Sequence, residues 1–346
     1  MYRLLLLILF VTSTFYSLAQ IGGRYVYSFL DLNYSARNSA LNMPAVPVYD
    51  KDIFNGLSNP SLINPKMNNF LGFTATNYLA DVAYGSAVFS RTVKEKYYGL
   101  AGVRYINFGK FTLADEYGNK NGEFHAGDFA LNLAAATLLT EKLSTGASIN
   151  FIYSSYESYR SSGLAIDYGL TYFDTSRSLT VGLLVRNLGF QLFSYTGENA
   201  EPLPLDVQIG FSKKPEHNPL RFIVVAHHLN IPDFAYPNPA KKNYDLNGNV
   251  IASKVPLSEK IFRHFDVGGE LVLSENFHIR FGYSHQARKE LQVSTRPALA
   301  GYSWGFGLRI SKFHISYGNT IYHLAGGSNT FSLTANLSEF TRKKGK

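Results

Sequence analysis

Apolar and polar residues alternate with a period of two along much of this chain. Tyr302, Trp304, Phe306, Leu308 and Ile310 alternate with Ser303, Gly305, Gly307 and Arg309. Phe331, Leu333, Ala335 and Leu337 alternate with Ser332, Thr334, Asn336 and Ser338. Residues 277–284 and 164–172 follow the same rule. Successive side chains of a strand point to opposite faces, so each stretch has one apolar face and one small or polar face. The apolar faces are rich in rings, and the segments run about 10 residues, the length of a tilted membrane-crossing strand. About 14 such segments can be placed, at 69–79, 82–92, 96–108, 123–138, 143–155, 164–174, 178–188, 203–213, 220–231, 263–273, 276–287, 299–311, 313–322 and 328–338.

After Gln20 the longest apolar run, 129–139, is interrupted by Asn132 and is far short of the ~20 residues of a membrane helix. Strands that cross lipid must close on themselves, because open backbone groups cannot face hydrocarbon. The expected fold is all-β, a transmembrane antiparallel β-barrel of about 14 strands. The connections agree. Even-numbered ones are short, at 92–96, 139–142, 175–177, 214–218, 274–275 and 311–312. Odd-numbered ones include the long loops 109–122, 189–202 and 232–262. Bacterial barrels have short periplasmic turns and longer outer loops, which puts both ends of the wall in the periplasm. The outer loops near Ala80 and Ala325 break the trend.

The N-terminus reads as an export signal. Arg3 precedes the apolar run 4–11, and a polar stretch ends in Ser17-Leu18-Ala19-Gln20, a small-x-small cleavage pattern. Residues 20–68 show no alternation and carry Pro44, Pro47, Pro60 and Pro65. Residues 35–41 suit a helical turn. Phe29, Leu30, Leu32, Ile53 and Phe54 need burial, which favours a lumenal or periplasmic plug over a disordered linker. The expected division is a signal peptide at 1–19, a plug segment at 20–68, the barrel at 69–340 and a basic tail at 341–346.

Composition narrows the function classes. Charged residues make up 17% of the chain, against roughly 25% in soluble domains, while aromatics reach 15%. Mean hydropathy is −0.08, too low for a helical membrane protein. The absence of cysteine excludes disulfides, thiolate metal sites and a cysteine nucleophile. A net charge of +8 suits anionic lipid and lipopolysaccharide headgroups, and no basic-aromatic patch points to nucleic acid.

Catalytic patterns are missing. There is no S-x-x-K with S-D-N and K-T-G, and no H-E-x-x-H. Neither an enzyme nor a cofactor is expected. His227-His228 falls in the ninth segment, where adjacent residues face opposite sides and cannot chelate one metal. The stretch Asp245-Leu246-Asn247-Gly248-Asn249 looks like a calcium loop, but Pro256 stands where an EF-hand needs glutamate. Asp167, Arg186, Asp266, Arg280 and Arg309 lie opposite most apolar positions. Charge on the lipid face is costly, so these five are expected as a lumenal charge network, with a polar channel lining as the alternative.

One segment is distinctive. Residues 23–41 contain Gly23, an aromatic stretch, Phe29-Leu30, Ser35-Ala36-Arg37 and Ala40-Leu41, and are followed by Asn59-Pro60-Ser61-Leu62. This resembles the start of PorQ-type outer-membrane proteins of the type IX secretion system in Bacteroidetes. Asn42-Met43 stands where such relatives have a glycine pair. The resemblance implies a barrel related to PorV and to long-chain fatty-acid transporters. It implies a non-catalytic role, anchoring a PorZ-like surface protein that works with the PorU–PorV attachment complex, which removes cargo signals and links cargo to anionic lipopolysaccharide. On that reading loop 232–262 is the candidate partner contact, through Phe234, Tyr236 and Tyr244, since aromatics are favoured interface anchors. The alternative is an outer-membrane channel for hydrophobic small molecules of the fatty-acid transporter type.

Overall fold

The computed structural model describes residues 25–197, 199–233, 243–244, 250–251, 255–292, 299–323 and 326–341. The strands are β1 (Phe70–Asn77), β2 (Ala83–Lys94), β3 (Tyr97–Ala114), β4 (Lys120–Thr140), β5 (Leu143–Tyr156), β6 (Tyr159–Asp174), β7 (Leu179–Phe193), β8 (Asp206–Lys213), β9 (Leu220–Ala226), β10 (Asn243–Tyr244), β11 (Val250–Ile251), β12 (Phe265–Val272), β13 (Phe277–Ser284), β14 (Tyr302–Ile310), β15 (Phe313–His323) and β16 (Gly326–Asn336). Fourteen of them close into a barrel, with β9 pairing directly to β12 and β1 to β16. Each segment marked by alternation holds one of these strands. β10 and β11 form a separate two-stranded hairpin between β9 and β12.

The two faces divide as the alternation requires. Phe281 is 57% exposed and Phe331 56%, whereas their neighbours Arg280 and Thr330 are buried. Rings point outward toward lipid, and polar or small residues point inward.

Several boundaries differ from the sequence reading, among them the start of β6 at Tyr159 and the end of β7 at Phe193. β3 and β4 continue past 109 and 122, pairing from Lys110 with His125 to Ala114 with Lys120. The expected loop 109–122 is therefore mostly a paired ribbon. Stacking of Phe111 on Phe124, 5.2 Å between centroids, supports it, and its turn is held by Asp115, which accepts from the backbone N–H groups of Tyr117 and Asn119. β9 stops at Ala226, so His227-His228 lies beyond the strand. His228 takes φ +53° and donates its N–H to Asp206 Oδ1 at 2.6 Å. β13 stops at Ser284, whose hydroxyl accepts from Ala287 N–H and starts the helix His285–Leu291.

Residues 25–68 run inside the barrel. Ser35 caps the helix Ala36–Leu41, which ends on Asn42 at φ +51°. Asparagine tolerates this left-handed conformation better than most residues. Asp52 caps the helix Ile53–Ser58. Asn59 and Asn64 cap the short 3-10 turns Pro60–Leu62 and Pro65–Met67, each with proline at the first position, where its missing N–H costs nothing. Leu30, Leu41, Met43, Ile53 and Leu62 are fully buried.

The inner face of the wall supplies polar partners to this segment. Ala36 N–H donates to Ser332 Oγ at 2.9 Å, Thr320 Oγ1 to Ser39 O at 2.8 Å, and Ser212 Oγ to Pro47 O at 2.6 Å. Inward glycines allow the close approach. A Cβ on Gly318 would lie 2.2 Å from Ala36 O, and one on Gly282 would lie 2.1 Å from Leu41 O.

Candidate functional site

Glu270 sits on the inner face of β12 with no exposed surface. Strand register puts Arg280 of β13 on one side of it and Arg221 of β9 on the other. Arg280 Nε donates to Glu270 Oε1 at 2.8 Å, and Arg221 Nη1 donates to Oε2. The plug contributes the third cation: Arg37 Nη2 donates to Glu270 Oε2 at 2.7 Å. Through Nη1, Arg37 also reaches Asp50 at 2.6 Å and Asp52 at 3.6 Å. Three guanidiniums thus face three carboxylates, and Arg37 bridges plug and wall. Burial opposes charge on Asp50, but the adjoining Arg37 outweighs it and holds the carboxyl below its ordinary range. Asp52 is pushed upward, because burial exceeds the pull of the more distant guanidinium.

A second cluster seats Leu30 and Asp31. Arg186 Nη2 donates to Leu30 O at 2.9 Å, and Asn187 Nδ2 donates to Asp31 Oδ1 at 3.0 Å. Asp167 accepts from Ser148 Oγ, Asn150 Nδ2 and Asn187 N–H, at 2.8, 2.9 and 2.8 Å. Burial pushes the Asp31 carboxyl up to about 7, against the attraction of Arg186. A carboxyl raised in the folded state binds its proton more tightly there than when released. Its stabilising contribution is complete below about pH 4 and is lost as pH rises toward about 7. Protease protection of residues 25–34 should therefore fall between pH 4 and 7, and Asp31→Asn should flatten that dependence. An unchanged slope in the variant would reject the assignment.

The five residues read as one lumenal network do not pair with one another. Arg280 goes to Glu270, Arg186 to a plug carbonyl, and Asp167 to hydroxyl and amide donors. Asp266 lies 3.3 Å from His227 Nε2, and Arg309 pairs with Glu339 near the barrel's short-turn end. The correction has a geometric cause: the plug separates opposite walls, so wall charges find partners on adjacent strands or on the plug. The histidine pair is corrected too. Because His228 leaves the extended conformation, the two Nδ1 atoms come within 2.7 Å. Among the described residues no group of histidine and carboxylate side chains is arranged to hold a metal.

Phe29, Leu30, Ser35, Ala36 and Arg37 of the N-terminal motif are all in the plug, and all but Arg37's guanidinium serve its packing or capping. Gly23 lies outside the described residues, as do Phe234 and Tyr236. For Tyr244 only the backbone is described, paired with Val250 in the β10–β11 hairpin. The sequence reading placed Glu270 in a strand without making it a centre, and it missed Asp50 and Asp52.

No protein-family model matches this chain, and no curated protein matches it in sequence. Solved structures do match. The Pseudomonas putida toluene transporter TodX superposes with a TM-score of 0.51 at 12% identity, covering 88% of this chain and 97% of that one. The deltaS2S3 mutant of the TodX monoaromatic hydrocarbon channel gives 0.51 at 11% identity, covering 88% and 99%. The deltaS2 mutant gives 0.51 at 13% identity, covering 88% and 97%. The likeness is one of fold, and that fold is an outer-membrane β-barrel of fourteen antiparallel strands.

Proposed function

We propose that this barrel is a non-catalytic component of the type IX protein secretion system, a fixed base that holds a PorZ-like surface protein for the cargo attachment machinery. One observation supports a base over a conduit: residues 25–68 fill the lumen and are hydrogen-bonded to wall strands on several sides. The secretion system itself is inferred from the resemblance of residues 23–41. Residues 1–19 act, on this reading, as the cleaved export signal, and lipopolysaccharide and surface partners meet the barrel at its long-loop end.

A second reading is a channel for hydrophobic small molecules, as the likeness to the toluene transporter TodX suggests. The structural neighbours favour this reading over the first. It requires the plug to rearrange, because the wall's inner face is polar and occupied.

Deletion of residues 234–254 separates the two. The secretion reading expects normal barrel levels with loss of surface-partner retention and of cargo processing. A strain lacking the whole chain should show the same processing defect with unchanged toluene uptake. Normal processing and reduced uptake in that strain would replace the secretion role with the channel.

A further inference from the structure

The short-turn mouth of the barrel carries positive charge that the ion-pair cluster does not consume. A cavity of about 470 Å³ opens there, lined among others by Lys51, Lys66, Phe70, Arg221 and His278. An adjoining cavity of about 240 Å³ shares Lys51, Lys66, Phe70 and His314 and adds Lys312. Arg37, Arg221 and Arg280 are matched by Glu270, Asp50 and Asp52. Arg309 is matched by Glu339. That leaves the ammoniums of Lys51, Lys66 and Lys312 against one carboxylate on the rim, Glu275. Among the described residues neither Lys51 nor Lys66 has an ion-pair partner, and Lys312 lies over the Phe340 ring. Lys51 and Lys66 come from separate plug turns that the charged seat and the Asn64 cap hold in place.

We infer that this mouth binds a phosphate-bearing anion, with the phosphate between Lys51 and Lys66 and any alkyl portion against Phe70. The donors select the class. The four guanidiniums here are already engaged by carboxylates, so the remaining positive charge is that of ammoniums, which favours a multiply charged anion over a singly charged carboxylate. Ammoniums act as point charges, and several of them suit a tetrahedral, multiply charged group. The phosphate could be free in the periplasm or belong to a lipid headgroup, since the mouth opens at the level of the periplasmic leaflet's headgroups. This inference goes beyond the proposed function and holds for a base or a channel.

Calorimetric titration of the full chain in maltoside detergent, which carries no phosphate, tests it at low salt. The probes are inorganic phosphate and hexyl phosphate. Saturable binding is expected, weakened about tenfold or more by Lys51→Gln with Lys66→Gln, as loss of charge-assisted bonds implies. Lys260→Gln, on the helix Leu257–Phe262 at the other end, should change nothing. Tighter binding of hexyl phosphate, reduced to the level of inorganic phosphate by Phe70→Ala, assigns the site to lipid headgroups; equal binding of both probes assigns it to free phosphate. Lys51, Lys66 and Phe70 line the open mouth, and the heat-modifiable gel band verifies assembly of every variant. Absence of saturable heat with both probes, or unaltered affinity in the double lysine variant, overturns the inference.

Discussion

Leucine at Gly318 should unseat the plug and leave the barrel wall intact. Gly318 lies on the inner face of β15, and a Cβ there would meet Ala36 O at 2.2 Å and Ala40 N at 2.9 Å. Both are backbone atoms of the helix Ala36–Leu41, so no flexible side chain can move aside. Overpacking of this kind costs about 1–3 kcal/mol for the side chain alone. Displacing the helix also breaks Ala36 N–H to Ser332, Ser39 to Thr330 and Thr320 to Ser39 O, at roughly 1 kcal/mol each. The wall is less affected, because β15 keeps its ladders to β14 and β16. Planar-bilayer conductance should rise from near zero, and protease should cut after Arg37, while the heat-modifiable band persists. Gly269→Ala, on the outward face with Leu220 Cδ1 at 3.3 Å, is the control. A barrel as closed and protease-resistant as the original would show that the plug is not held by this close approach.

The wall was legible because its information is local. Period two in 277–284 or 302–310 identifies strand and face together, and the outward exposure of Phe281, Trp304 and Phe306 follows from it. A helical turn at 35–41 was legible as well, and the structure adds the Ser35 cap that starts it. Other features depend on residues far apart. The ribbon at the end of β3 and β4 exists because Phe111 meets Phe124, a pairing hidden by the turn-like residues Gly118, Asn119 and Gly122. The break at His228 depends on an Asp206 carboxylate 22 positions away. Glu270 shares its face with Asp266, so its inward direction was available from parity. Its two arginine neighbours required the register on both sides of β12, and its third lies 233 positions away in the plug.

Methionine at Arg37 should loosen the plug more than any other single side-chain loss in the segment. Arg37 is 3% exposed and Glu270 is fully buried. Removing one partner of a buried ion cluster leaves uncompensated charge and costs about 3–5 kcal/mol. Glu270 would keep Arg221 and Arg280, but Asp50 and Asp52 would lose the cation they share. Lysine should give an intermediate result: a single ammonium can approach one carboxylate but cannot fork between Glu270 and Asp50 as the guanidinium does. Hydrogen exchange in the helix Ala36–Leu41 reads the effect directly, since local opening sets its rate. Acceleration by about two to three orders of magnitude is expected for methionine, with barrel amides unchanged. Adding Glu270→Gln tests whether the bridge itself is responsible. Residues in one ion-pair network couple by about 0.5–3 kcal/mol, so the double variant should open less than the two single effects combined. Strict additivity, or wild-type exchange in Arg37→Met, would place the plug's anchorage in its apolar packing instead.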